Sequence, residues 1–234
     1  MILVLDTCGA VGGVALADIA SGDARIVDEV AITGKTFAAE LVPAISSLLQ
    51  AANLTVDELD AVAVVRGPGS FTGVRIGVSA AKGLVEAASI PLIAFSRLEV
   101  LTRKAAVPGL TIAVFDAGRG EFYVGIYEAG ICLLESVVTR DQLIEHASDR
   151  PAVVLVCEPR VEAALAELRP TVLGLPTLGD ALNIAVERWQ SRQFEDVMTL
   201  DGNYLRRSDA EIFSSRAIRP KLTEEKAETV EPEA

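Results

Sequence analysis

Apolar residues along the chain form short continuous runs that alternate with longer stretches of helical spacing. The runs Ile2–Leu5 and Ala61–Val65 are bounded by turn residues, a pattern typical of buried strands. Between them, Thr36–Ala52 carries apolar residues three and four positions apart, which predicts an amphipathic helix with Pro43 inside it. A second helix is predicted from about Phe71 to Ala88. Strands followed by alternating helices and strands predict an α/β fold with mixed sheets flanked by helices.

The opening pattern recurs in the second half of the chain. The segment Ile112–Asp116 matches Ile2–Asp6, and at the same offset Val124–Glu128 matches Val14–Asp18. Each copy is an apolar strand that ends in an aspartate, followed by a returning strand. We therefore expect two duplicated subdomains.

The duplication sets the expected organisation of the chain. An N-terminal subdomain is predicted at residues 1–105 and a C-terminal subdomain at residues 106–213. Residues 214–234 are rich in Lys, Glu and Pro and are predicted to be a disordered tail.

Composition narrows the classes of function. Half of the residues are hydrophobic, which favours an apolar surface reserved for a protein partner. The net charge of −12 argues against direct binding to nucleic acid and would suit a basic partner. No apolar run approaches the ~18 residues of a membrane span. Because Asp6 comes too early for a signal peptide, we expect a cytoplasmic protein without membrane contact.

The residues that usually carry metal or nucleophilic chemistry are sparse. The three cysteines, Cys8, Cys132 and Cys157, show no CxxC spacing, and His146 is the single histidine of the chain. Neither a zinc site nor a disulfide framework is indicated, and a Ser-His-Asp type triad has no suitable base. We expect no metal site and no catalytic residue.

Two aspartates, Asp6 and Asp116, each end a predicted buried strand. If the two subdomains face one another, Asp6 and Thr7 become candidates for a nucleotide cleft, with Asp116 opposite and near Mg²⁺. The alternative is that each aspartate accepts backbone N–H bonds in its own turn. For Asp116 the turn is favoured, and for Asp6 both interpretations stay open.

The stretch RGPGSFTGVRIG, residues 66–77, joins the predicted strand Ala61–Val65 to the second helix. Its glycine spacing fits neither the Walker pattern nor GxGxxG, so phosphate binding is weakly supported. Ser70 is a good N-cap, and a structural role in launching the helix is predicted for five residues. These are Gly67, Pro68, Gly69, Ser70 and Gly73.

The helix after this turn contains Gly73, Gly77 and Gly83, each of which costs about 1 kcal/mol relative to alanine. Gly73, Gly77 and Ala81 recur every four residues and form a smooth stripe that admits a close helix. The close partner is either the Thr36–Ala52 helix of the same subdomain or a helix of another chain.

The stretch RGPGSFTGVRIG, residues 66–77, resembles the signature of the TsaB (YeaZ) family. Further similarity follows in order along the chain, at Leu3–Thr7, Leu41–Pro43, Asp116–Tyr123 and Tyr204–Arg206. The resemblance implies two subdomains of the actin/Hsp70/sugar-kinase-like (ribonuclease H-like) fold. Lys35 departs from the pattern, since members of the family carry histidine there.

The resemblance also implies a function. Members of this family are non-catalytic activators of TsaD, the subunit that transfers a threonylcarbamoyl group to adenosine next to the tRNA anticodon. They pair with TsaD through their N-terminal helices, the ATPase TsaE joins the complex, and alone they form homodimers through the same surface. Contact with tRNA is expected only through the complex. No cofactor is expected to bind tightly, and ATP, ADP or Mg²⁺ are expected only within the complex.

On this basis the two N-terminal helices are expected to bind the partner. The candidate residues are Thr36, Phe37, Leu41, Ile45, Leu48, Phe71, Val74, Gly77, Val78 and Ala81. The competing hypothesis is an enzyme of the same fold, such as a small-molecule kinase that uses Asp6 and Thr7 at the phosphates. A protease is a third and weaker alternative.

Overall fold

The structure is a computed structural model, and it describes residues 1–20 and 24–206. The predicted tail at 214–234 and the end of the second predicted subdomain lie outside the described residues. Ten strands and six α-helices are found in the described part of the chain. The strands are β1 (Ile2–Asp6), β2 (Val11–Asp18), β3 (Arg25–Thr33), β4 (Ala61–Val65), β5 (Leu92–Phe95), β6 (Leu110–Gly118), β7 (Glu121–Glu128), β8 (Ile131–Thr139), β9 (Val153–Val156) and β10 (Thr171–Val172). The helices are α1 (Phe37–Ala51), α2 (Phe71–Ala88), α3 (Arg97–Ala105), α4 (Arg140–Asp149), α5 (Pro159–Ala164) and α6 (Leu178–Gln190).

The first sheet has the strand order β3-β2-β1-β4-β5. Strand β2 pairs antiparallel with both β1 and β3, whereas β4 pairs parallel with β1 and with β5. Four strands, β1, β3, β4 and β5, therefore run in one direction and β2 runs against them. Helices α1 and α2 connect these strands by crossovers that move the same way across the sheet. Right-handed crossovers of this kind place both helices on the same face. Every residue of β1 and β4 is buried, and α6, which contacts all five strands, covers the other face.

The second sheet repeats this arrangement with the order β8-β7-β6-β9-β10. Helices α4 and α5 make its crossovers and pack over Ile112 and Val114 of β6. The alternate residues Ala113 and Phe115 point to the opposite face, where they pack against α3. The duplication expected from the sequence is therefore present as two sheets of the same topology.

The helices do not divide between the sheets as the sequence positions suggest. Leu98 and Leu101 of α3 belong to the core beside the second sheet, whereas α6 packs its buried face on the first sheet. The hydrophobic clusters therefore extend across the predicted boundary between residues 105 and 106. Helix α3 follows β5, the last strand of the first sheet, and α6 follows β10, the last strand of the second, and the two helices contact each other.

The matched offset between the copies holds for the first strand but not for the second. Ile2 pairs with Ala17, whereas its counterpart Ile112 pairs with Ile126 rather than with Tyr127. The hairpin between β6 and β7 is one residue shorter and contains a register shift near Gly118. The ungapped match from sequence is thus wrong by one residue along β7.

Candidate functional site

The glycine-rich turn before α2 is held by the loop that follows β1. Ser70 donates its backbone N–H to the Cys8 carbonyl at 2.8 Å, and the Ser70 hydroxyl accepts from Gly73 N at 3.2 Å. A Cβ on Gly69 would lie 2.2 Å from the Cys8 carbonyl oxygen, so only glycine allows this approach. Ser70 thus caps α2, and the turn packs against its own chain.

The glycine stripe of α2 faces the end of β1. A Cβ on Gly73 would lie 2.0 Å from the Thr7 carbonyl oxygen, and one on Gly77 would lie 2.3 Å from the Thr7 hydroxyl. Gly83, in contrast, has open space where its Cβ would be. The close neighbour of the stripe is therefore the Thr7 loop, and neither of the two helices considered from the sequence occupies that place.

Eight of the ten residues expected to bind a partner are buried inside this chain. They are Phe37, Leu41, Ile45, Leu48, Val74, Gly77, Val78 and Ala81. In this chain they belong to the core and are not exposed to a partner, because the apolar side of an amphipathic helix packs against its own sheet first. The other two are partly exposed. The Thr36 hydroxyl donates a hydrogen bond to the Thr33 carbonyl, and the Phe71 and Tyr204 ring centres lie 5.1 Å apart with the rings tilted by 50°.

The opposite sides of the same two helices carry exposed or half-buried residues without charge. On α1 these are Ala39, Val42, Pro43 and Ser46, and on α2 they are Ile76, Ser79, Ala80 and Gly83. Each set follows the spacing i, i+3, i+4, i+7, so it forms a stripe along one helix. We call these eight residues the α1–α2 face. Val42 is 66% exposed, which is unusual for a valine within a helix. A helical wheel places Val42 and Pro43 off the buried side of α1, and this signal could have been found in the sequence.

Asp6 and Thr7 both form hydrogen bonds with backbone groups of this chain. Thr7 is fully buried, and its hydroxyl donates to the Gly73 carbonyl at 2.6 Å. Asp6 is 8% exposed and accepts the backbone N–H of Cys8 at 2.8 Å. The turn interpretation thus describes Asp6, and neither side chain is presented as a free ligand.

A cavity of about 600 Å³ opens between the two sheets. Its walls include Gly9, Lys35, Ser70, Arg97, Asp116 and Glu158. Asp116 accepts from Gly118 N at 2.7 Å, as expected for a turn, and donates its own N–H to Glu158 at 2.7 Å. Arg97 was not singled out in the sequence, where an arginine at the start of a helix suggests a solvated side chain.

The two buried cysteines also lie at this cavity. Burial raises the pKa of the Cys8 thiol well above its ordinary value, and burial raises the pKa of Cys157 to about 11. Both thiols are therefore protonated at neutral pH and are poor nucleophiles. Cys8 donates its thiol hydrogen to the Val65 carbonyl at 3.1 Å, which gives it a structural role.

Within residues 1–20 and 24–206, no group of three or more His, Cys, Asp and Glu side chains lies close enough to hold a metal ion. His146 sits in the last turn of α4, on the far side of the second sheet from α3. None of the described helices is long and apolar enough to cross a membrane.

The two-sheet topology, with crossover helices on one face of each sheet, defines a protein of the actin/Hsp70/sugar-kinase-like class. Two crystal structures of YeaZ-type proteins from Pseudomonas aeruginosa superpose on this chain with TM-scores of 0.70 and 0.69. They are 27% and 26% identical in sequence, and the superpositions cover 88% and 87% of this chain and 99% of theirs.

Sequence comparison places the chain within this class. Residues 28–211 match the family model described as "TsaD: tRNA N6-adenosine threonylcarbamoyltransferase". The chain is 38% identical over 138 residues to the tRNA threonylcarbamoyladenosine biosynthesis protein TsaB of Bacillus subtilis, covering 58% of this chain and 59% of that protein. An uncharacterized protein of Mycobacterium tuberculosis is 31% identical over 189 residues, covering 78% of this chain and 81% of that protein. The chain belongs to the TsaB (YeaZ) family, and its matches span about half the length of the curated TsaB proteins.

Proposed function

We propose that this chain is a non-catalytic subunit that pairs with a TsaD-type transferase and supports the formation of threonylcarbamoyladenosine in tRNA. The observation that carries the proposal is the α1–α2 face, an uncharged and largely exposed surface on two helices that contact each other. The names of the curated relatives and of the matching family model point to the same modified nucleoside.

The α1–α2 face has the properties of a helix-docking surface. Its residues are small or apolar in a chain of which 23% is charged, and Ala39, Ala80 and Gly83 allow a partner's backbone to approach closely. Val42, which is 66% exposed, supplies apolar area that a partner would bury. Helix α2 cannot move far to make room, since Gly73 and Gly77 contact the Thr7 loop. A preformed surface of this kind loses little conformational entropy on binding.

A non-catalytic role is supported by the hydrogen bonds that Thr7 and Asp6 already make to backbone groups of this chain. The Thr7 hydroxyl donates to the Gly73 carbonyl, and one oxygen of the Asp6 carboxylate accepts the Cys8 N–H. Because the single hydroxyl hydrogen of Thr7 is already donated, the support for a small-molecule kinase that would use Thr7 at the phosphates is weaker. In the proposed assembly, nucleotide and Mg²⁺ act only within the complex, TsaE is the third subunit, and tRNA is contacted through the complex.

The pairing is tested with a charge placed on the α1–α2 face. We expect Val42→Glu to weaken association with a TsaD homologue at least tenfold, because a carboxylate would be buried without a partner. The measurement is titration calorimetry with purified proteins, supported by size-exclusion chromatography. The same variant should also weaken the homodimer of the isolated chain.

Val172→Glu is the matched control. Val172 is 51% exposed and lies on β10, an edge strand of the second sheet. It should bind the TsaD homologue like the unmodified chain, and circular dichroism should show both variants folded. Equal affinity of Val42→Glu and Val172→Glu would contradict the proposed surface.

A further inference from the structure

Arg75 is an exposed cation of α2 without a counter-ion in this chain. None of the ion pairs among residues 1–20 and 24–206 includes it. The residues three and four positions away on the same helix are Phe71, Thr72, Val78 and Ser79, so no acidic side chain lies within reach along α2. The charge of Arg75 is therefore left unpaired in the part of the chain that the structure describes.

Although it is exposed, the guanidinium of Arg75 is held in place by aromatic rings. Its central carbon lies 4.1 Å from the centre of the Phe71 ring, and the Phe71 ring lies 5.1 Å from that of Tyr204. Asn203, directly before Tyr204, donates its backbone N–H to the Arg66 carbonyl at 2.6 Å, so this support is anchored at the end of β4. A guanidinium that stacks on a ring is restrained, while the N–H donors at its edge stay available.

Arg75 lies at the margin of the α1–α2 face. It directly precedes Ile76 and comes one helical turn before Ser79, and both of these residues belong to the face. The other cation of the two helices, Lys82, donates to the Leu200 carbonyl at 3.0 Å and is engaged inside the chain. Arg75 is therefore the cation of α1 and α2 that is available to a docked partner.

We propose that Arg75 pairs with a carboxylate of the TsaD-type partner when that partner docks on the α1–α2 face. The inference rests on the proposed pairing and adds the charge that the partner presents at this margin. A charge pair at the rim of an interface mainly speeds association and disfavours wrong partners. The stacked guanidinium suits this role, because its planar edge matches two carboxylate oxygens and little side-chain freedom remains to be lost.

A purely structural role is the competing explanation of Arg75. In that case the contact with the Phe71 ring would be its whole purpose, and its loss would lower Tm without changing how association responds to salt. The two explanations differ in a measurable way, because the attraction between exposed charges of two proteins weakens as the salt concentration rises.

The experiment measures the association of the full chain with a purified TsaD homologue by stopped-flow fluorescence at low and at high salt. Arg75→Glu should slow association about fivefold at low salt, and the difference should largely disappear at high salt. The dissociation rate should change less than the association rate, as expected for a charge at the rim. Arg75→Lys keeps the charge and should associate at low salt within about twofold of the unmodified chain.

Arg192→Glu is the matched control, since it makes the same change of charge at another exposed arginine. Arg192 follows α6, which covers the face of the first sheet opposite to α1 and α2. This variant should associate with the TsaD homologue like the unmodified chain at both salt concentrations.

Each outcome decides a point. If the unmodified chain binds the TsaD homologue, but Arg75→Glu and Arg192→Glu associate equally fast at low salt, the role of Arg75 is wrong and the proposed pairing stands. If the unmodified chain does not bind, both proposals fall. A lower Tm of Arg75→Glu with an unchanged response to salt would assign Arg75 a structural role and overturn the inference. If circular dichroism shows that Arg75→Glu does not fold, Arg75→Gln is measured in its place, and unchanged association at low salt would overturn the inference as well.

Discussion

Two glycines of α2 allow the packing of this helix to be tested with one substitution made at two places. In Gly83→Ala the new Cβ meets open space, so the variant gains only the helix propensity of alanine. We expect a stabilisation of about 1 kcal/mol. In Gly73→Ala the new Cβ would lie 2.0 Å from the Thr7 carbonyl oxygen, which is backbone and cannot rotate away.

The cost at Gly73 exceeds the gain. Displacing the Thr7 loop resembles overpacking of a core and costs about 1–3 kcal/mol. Loss of the buried Thr7–Gly73 hydrogen bond adds about 1 kcal/mol. After the gain from alanine is subtracted, Gly73→Ala should lower the free energy of unfolding by about 1–3 kcal/mol.

Thermal unfolding followed by circular dichroism measures both variants. At about 2–4 °C for each kcal/mol, Tm should rise for Gly83→Ala and fall for Gly73→Ala. Two protein concentrations are needed, because Gly83 lies on the α1–α2 face and a homodimer would make stability concentration-dependent. If both variants shift Tm upward by the same amount, the contact between α2 and the Thr7 loop is not as described.

Two further predictions concern titratable groups. Burial alone would raise the pKa of the Asp180 carboxyl, but hydrogen bonds from Lys104 and Thr177 outweigh burial and lower it. The ionised carboxylate therefore stabilises the folded state above its ordinary pKa of about 3.9. Asp180→Asn should lower the free energy of unfolding by about 1 kcal/mol or less at pH 7, because solvent screens the ion pair. The difference between variant and unmodified protein should vanish as the pH falls through the lowered pKa. A difference that stays constant from pH 7 to 2 would contradict this. A thiol reagent at pH 7.5 should modify only Cys132 in the native protein, because Cys8 and Cys157 are buried, and all three cysteines in urea. Rapid reaction of all three thiols in the native state would refute this prediction.

Local signals in the sequence placed most elements well. Helix α2 begins and ends where predicted, because Ser70 is an N-cap and the preceding glycines and proline cannot continue a strand. Strand β4 also has the predicted bounds, since a five-residue apolar run is buried on both faces. The duplication predicted the common topology, although a hairpin shorter by one residue moved the register of β7. Turn length is decided by local backbone geometry that an ungapped match cannot detect.

The candidate surfaces were harder to place, for a physical reason. An apolar spacing marks the side of a helix that leaves water, and it does not distinguish the chain's own sheet from a partner. The predicted docking residues of α1, such as Leu41 and Ile45, therefore proved to be core, while Val42 and Pro43 between them are exposed. Arg97 lies between the two sheets only because α3 crosses to the second sheet, and no local pattern encodes that crossing.

Threonylcarbamoyladenosine formation in a reconstituted reaction tests the proposed function most directly. A TsaD homologue and TsaE are incubated with tRNA, ATP and the threonylcarbamoyl donor, with and without this chain, and the modified nucleoside is measured by mass spectrometry. A non-catalytic partner should raise the yield severalfold, do nothing without TsaD, and lose its effect in Val42→Glu but not in Val172→Glu. Full modification by TsaD and TsaE without this chain, or modification by this chain alone, would contradict the proposal.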